Sequence, residues 1–242
     1  MSKYISEIPQ SVGYKARQQR VTYEALSNCF NSVTRELLER VHAIEEHEFT
    51  MEELKAFSGA HSFDIVGRAR TSASIYQPVE EMLFAYLCLL FAIRNRGYRM
   101  DSFIRKKKGQ SEIRERGSRV FGENGARAFL QDLRNKYLHG NPVFPGFTLS
   151  YSRDDEGKSH QNHRFSYSRD ELLKITGWAT LSRAFISSWP KEKKLSEIIE
   201  QYSKLAVTHN QWVLDHLDHV FSKDFEETDR LAQEWGNFIR GR

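Results

Sequence analysis

Apolar residues recur at helical spacing along most of this chain, and that periodicity constrains the fold more than any other feature. Leu26, Cys29, Phe30, Val33, Leu37, Val41 and Ile44 follow the i, i+3, i+4 pattern of a single buried stripe, with charges opposite. Thr50 and Glu53 have capping-box spacing and predict a fresh helix start. Pro78, followed by Glu80 and Glu81, predicts another, because proline and acids favour a first helical turn. That helix continues through the apolar run Met82 to Ile93 and ends at about Arg94. Further helices are expected from about Asn124 to His139, from Ser168 through Trp189, and over about 195–221 and 225–239. Only 5 Pro and 14 Gly interrupt 242 residues, while 16 Phe, 10 Tyr and 4 Trp supply enough apolar surface for a substantial core.

One segment breaks the helical rhythm. Phe147, Leu149 and Tyr151 alternate with polar residues, as do Phe165 and Tyr167 beyond the turn candidate Asp154-Asp155-Glu156-Gly157. This predicts a β-hairpin inserted at 147–167. Residues 1–20 show no sustained period and are expected to form an N-terminal arm, extended or in a short helix. The expectation is a mainly α fold: one helical domain over 21–242 carrying a small hairpin. Cys29 and Cys88 sit in apolar patterns and form no metal-like cluster, so they are expected to be buried, reduced thiols of a cytoplasmic protein. The longest apolar run, Met82 to Ile93, has 12 residues, short of the roughly 20 of a membrane span, so no membrane partner is expected.

The charge distribution is uneven. Between Arg94 and Arg119, ten Lys/Arg face three acids, so this stretch carries +7 whereas the whole chain carries only +4. Arg105, Lys106, Lys107, Lys108, Arg114, Arg116 and Arg119 are therefore candidates for holding an anionic partner such as RNA. A solvated basic surface without a partner fits the same composition.

Familiar cofactor signatures are absent: the chain has no Walker loop, dinucleotide glycine fingerprint, GxSxG elbow, HExxH or CxxC. Gly122-Glu123-Asn124-Gly125 is too short for a phosphate cradle and instead leads into a helix. His216 and His219 lie one helical turn apart beside Asp215 and Asp218, but no further ligand completes a set, as is also true of His160 and His163. Neither a metal nor a cofactor is expected.

The segment Leu133-Arg134-Asn135-Lys136-Tyr137-Leu138-His139-Gly140 is more informative. At about 100° per residue, Ala126, Phe129, Leu130, Leu133 and Tyr137 gather on one apolar face, with Asp132, Asn135 and His139 roughly opposite and Arg134 flanking them. Gly140, Asn141 and Pro142 form a strong stop signal. These residue types suit metal-free RNA cleavage. An imidazole, with an ordinary pKa of about 6.5, takes a proton from a ribose 2′-hydroxyl or gives one to the leaving oxygen. Arg134 would stabilise charge on the phosphate oxygens, and Asn135 would hold His139 or a phosphate oxygen. One imidazole does not easily serve as both acid and base, so two copies across a symmetric dimer would complete the site. The spacing also fits a structural cluster that caps the helix end.

The stretch Arg134-Asn135-Lys136-Tyr137-Leu138-His139, within a helical context spanning about 22–240, resembles the hallmark motif of the HEPN superfamily (higher eukaryote and prokaryote nucleotide-binding). The resemblance implies an all-helical, dimeric, metal-independent endoribonuclease acting on single-stranded RNA, often as a toxin or antiphage effector. It implies catalytic roles for Arg134 and His139 and a supporting one for Asn135. It also implies an acid from an earlier helix, for which Glu80 and Glu81 are the candidates, and an antitoxin or other regulatory partner. Members silenced by nucleotide addition carry Tyr two residues after the histidine, where this chain has Asn141. Noncatalytic relatives use the same fold as RNA- or protein-binding modules.

Overall fold

Helical periodicity becomes helix in the computed structural model, which describes residues 7–47, 65–153, 155–156 and 159–240. The elements in chain order are α1 (Val12–Glu45), α2 (Ile65–Lys108), α3 (Ile113–Phe121), α4 (Gly125–Leu138), β1 (Gly146–Arg153), β2 (Ser159–Ser168), α5 (Arg169–Lys174), α6 (Thr180–Ser187), β3 (Glu192–Lys194), α7 (Leu195–Val220) and α8 (Ser222–Arg240). The fold is mainly α with one small antiparallel sheet in the order β1-β2-β3. No described helix is long and apolar enough to cross a membrane. The capping pair Thr50 and Glu53 lies outside the described residues.

Two compact units divide the chain, each drawn from separated stretches. The first takes 1–29, 91–122 and 205–242; the second takes 30–90 and 123–204.

In the first unit the expected arm is in fact helical from Val12, and Ala16 is fully buried. The buried positions of α1, 13, 16, 23 and 27 in this unit and 30, 34, 37 and 41 in the second, lie close to a heptad seam. That seam is rotated from the expected stripe. Leu26, Val33 and Ile44 are half-buried and Cys29 is exposed, while Gly13, Ser27 and Thr34 face inward. Small and polar side chains in a close-packed seam hide it from a search for apolar residues. The buried Tyr23 hydroxyl donates to Asn210 Oδ1 at 2.8 Å, and Arg20 ties Glu24 and Asp218 together at 2.7 and 2.6 Å. Met100, Ile104, Ile113, Val213, Leu217 and Phe221 complete this core, each large one contributing about 1.5–3 kcal/mol by leaving water.

In the second unit Phe30 stacks on Tyr86 with centroids 5.3 Å apart, and the Tyr86 hydroxyl pairs with Ser203 Oγ at 2.9 Å. Pro78 does not start a helix. It lies inside α2, where it removes one ladder N–H and its ring crowds the carbonyl four residues back, a local cost that the rest of the helix outweighs. The same helix runs past Arg94 to Lys108, so much of the basic stretch is helical. β1 and β2 pair antiparallel with Phe147 opposite Phe165, and β2 adds β3 by pairing Ser166 with Lys194. The hairpin is thus present, one residue longer at each end than expected, with a third strand beside it.

The helix expected from Ser168 to Trp189 is two helices. Ser168 does cap the first, accepting the Glu171 N–H at 3.4 Å, but Ile175 turns extended and Gly177 takes φ +80°, which breaks the chain before α6. Phe129 of α4 is fully buried and packs against Tyr167, Trp178, Phe185 and Trp189 at centroid distances of 5.4, 5.5, 6.2 and 5.1 Å.

Candidate functional site

The motif rests on α4, whose two ends are fixed locally. At its start Asn124 Oδ1 accepts the Arg127 N–H at 2.9 Å. At its end His139 is the cap residue, and Gly140 adopts φ +73°. The Gly140 N–H bonds to the Tyr137 carbonyl at 3.2 Å and the Asn141 N–H to the Lys136 carbonyl at 3.0 Å, the double bond pattern of a Schellman stop. His139 is therefore held on a closed turn rather than a fraying end.

Three faces of α4 have different duties. Ala126, Ala128, Phe129, Leu130 and Leu133 are buried. Asp132, expected beside Asn135 and His139, instead turns to the next helix: its Oδ2 accepts the Ala179 N–H at 2.8 Å and the Ser182 hydroxyl at 2.6 Å. It thereby supplies the cap that Ala179 cannot give α6. Lys136, one turn on, donates to the Thr176 carbonyl at 2.8 Å and lies over the Trp178 ring at 4.6 Å. This leaves Arg134, Asn135, Leu138 and His139 as the outward strip.

Within it Arg134 Nη1 donates to Asn135 Oδ1 at 3.2 Å, which draws the guanidinium toward the His139 side of the helix. Both are half-buried, whereas His139 is exposed. Asn135 thus orients Arg134, and no hydrogen bond joins its side chain to His139 among the described residues.

Of the two candidate acids Glu80 and Glu81, only Glu80 acts on the motif helix. It is half-buried, burial raises its pKa, and its charge helps push the Tyr137 hydroxyl far above the ordinary phenol value, after burial itself. Phe84, one turn further on, stacks on Tyr137 at 5.6 Å, and Phe144 meets the same ring edge-on at 5.1 Å. Glu81 is exposed and accepts from Gln77 at 2.7 Å.

The candidate RNA-binding cations all lie in the first unit, whereas Arg134, Asn135 and His139 lie in the second. Several are already engaged. Asp101, only 1% exposed, accepts Arg105 Nε at 2.9 Å and the Arg114 N–H at 3.1 Å. Lys108 pairs with Asp224 at 2.5 Å and lies over Phe221. Arg119 stands 3.9 Å from Glu115, a surface pair worth little. Arg116 covers the Trp212 ring at 4.5 Å. Lys106 and Lys107 are exposed and have no acidic partner among the described residues.

Two features were not singled out from the sequence. Tyr98 is flanked by Arg94 and Arg114, each 5.5 Å from its ring. The Arg94 contact is visible as an i, i+4 spacing; the Arg114 contact depends on α3 folding back. His209, half-buried, meets Phe121 edge-on at 5.2 Å, and burial, then Arg116, lower its pKa to about 4. It is neutral when folded, while an unfolded imidazole titrates near 6.5. Its contribution to stability is therefore complete above about pH 6.5 and lost as pH falls toward 4, roughly 2–3 kcal/mol in all. Urea unfolding of His209→Gln between pH 4 and 7 should show a flatter stability profile than wild type over that window.

His216 stacks on Trp212 at 4.8 Å and burial lowers its pKa. Among the described residues no group of three or more His, Cys, Asp or Glu is placed to hold a metal ion. The side chains of His160 and His163 lie outside the described residues. Comparison with family models, with curated proteins and with solved structures gives no match for this chain.

Proposed function

We propose that this chain is a metal-independent endoribonuclease of HEPN type, acting on single-stranded RNA through a site shared between two copies. The observation that carries this reading is the Arg134–Asn135 bond beside an exposed His139 fixed on the Schellman turn. The 2′-oxygen attacks phosphorus and its proton passes to His139 of one copy. The bond from phosphorus to the 5′-oxygen breaks, and protonated His139 of the other copy supplies the leaving oxygen with a proton. The products are a 2′,3′-cyclic phosphate and a 5′-hydroxyl, and Arg134 stabilises charge on the nonbridging oxygens in between. Asn135 is a positioning residue acting through Arg134, and Glu80, whose charge acts on Tyr137, is the acid near the motif helix. RNA is the partner, and a toxin or antiphage role under an antitoxin or other regulator accords with this chemistry.

Leu138 is 50% exposed in the middle of the strip, with Phe144 and Phe84 at 38% and 37%. An apolar side chain between the polar ones suits contact with a second copy. Leu138→Glu should give a folded monomer in sedimentation and lower cleavage at least tenfold; full activity in a monomer would contradict the shared site. A noncatalytic RNA-binding module is favoured by the half-exposed Tyr98 with Arg94 and Arg114 beside its ring, an aromatic-and-cation cluster. That reading gives binding that weakens with salt and no cleavage.

A further inference from the structure

The first unit contains a cleft of about 680 Å³ whose lining includes Tyr14, Arg17, Val21, Arg96, Asp229 and Ala232. Its charges are not balanced. Arg17 and Asp229 pair with each other at 2.5 Å and so neutralise one another. Arg96 has no acidic partner among the described residues, and its Nε is buried with no hydrogen-bond acceptor. Burial and the neighbouring Arg99 both act against its charged form. A buried N–H without an acceptor is unfavourable, and in Arg96 it belongs to a half-buried cation that lines an open cleft, where an anionic ligand would supply the acceptor.

The rest of the wall decides what kind of ligand. Tyr14, Val21 and Ala232 are exposed and give the cleft a ring and two aliphatic groups beside the unpaired cation, with Gln18, Gln19 and Thr22 adding neutral polar groups. Inorganic anions would use the cation and the amide and hydroxyl donors but not the apolar groups. A ligand with a flat apolar body and one anionic group would use both, through charge-assisted bonds to the arginine and ring contact with tyrosine.

We propose that this cleft binds a small aromatic anion, a phosphate monoester or a carboxylate, with its charge on Arg96 and its ring against Tyr14 and Val21. The site is built wholly from first-unit residues, so its test does not depend on RNA cleavage.

Ligand-observed NMR titration of the full chain with phenyl phosphate, benzoate, phenol and inorganic phosphate reads the proposal directly. Phenyl phosphate or benzoate should saturate, and the tighter of the two identifies the anionic group. Phenol and inorganic phosphate should bind at least about tenfold more weakly. Arg96→Gln should weaken the aromatic anion about tenfold or more. Ala232→Trp, at an exposed position on the cleft wall where a substitution costs little stability, should block the aromatic anion and serves if Arg96→Gln does not fold. A Lys106→Gln/Lys107→Gln double variant should bind as wild type does. The proposal is overturned if neither aromatic anion saturates, if Ala232→Trp binds unchanged, if a folded Arg96→Gln binds unchanged, or if the double lysine variant loses as much affinity as Arg96→Gln.

Discussion

His139→Ala and Arg134→Ala should each lower RNA cleavage by about 10²–10⁴-fold while leaving thermal stability within about 1 kcal/mol of wild type. The two halves of this expectation have separate causes. His139 is exposed and its backbone, not its ring, completes the helix stop, so truncating the side chain removes no buried surface. Arg134 is half-buried, so some packing is lost with it, but the larger loss is of charge stabilisation in the transition state. Asn135→Ala should give a smaller fall, because it removes only the 3.2 Å bond that directs Arg134 and leaves the guanidinium in place. Initial rates on a fluorescent single-stranded RNA in EDTA, alongside melting curves, measure both halves. Equal, near-complete loss in all three variants with lowered melting points would assign the motif a structural role instead.

Phe129→Ala should cost about 3–5 kcal/mol. Its ring is fully buried and meets four aromatic neighbours drawn from β2, the break after α5, α6 and the segment before β3. Those neighbours are held by separate elements and do not collapse together into the space, so a cavity penalty adds to the lost transfer energy. The same ring seats α4, so the outward strip loses its support as well. In a chain of this length the melting temperature should fall by roughly 10 °C or more, and cleavage should fall with it even where the protein remains folded. A fall of less than 3 °C would mean that this cluster does not anchor the motif helix.

The parts of the fold legible in the sequence are those whose causes are local. The helix start near Asn124, the Gly140 stop and the extent of α7 each follow from a few adjacent residues, whereas α8 begins at Ser222, three residues before the expected start. The outward placement of Asn135 and His139 follows from helical geometry alone. What escaped has causes elsewhere in the chain. Asp132 counts as a neighbour of Asn135 until Ala179 and Ser182 claim its carboxylate, and the same pair of bonds starts α6 after the break at Gly177. β3 is three charged residues with no pattern of their own, and only pairing with β2 makes them a strand. Phe30, Leu37 and Val41 of the expected stripe do face inward, but half of the buried positions of α1 are Gly13, Ala16, Ser27 and Thr34, which no hydrophobic period marks. Glu80 and Glu81 are equivalent in sequence, and only the packing of Phe84 and Tyr137 separates them.

The most direct test of the catalytic reading is to incubate the purified chain with total cellular RNA in excess EDTA and to analyse the ends of the fragments. New fragments bearing 2′,3′-cyclic phosphates and 5′-hydroxyls, absent with His139→Ala, are the result this account predicts. Intact RNA with wild-type protein, or fragments that form equally with His139→Ala, would contradict it.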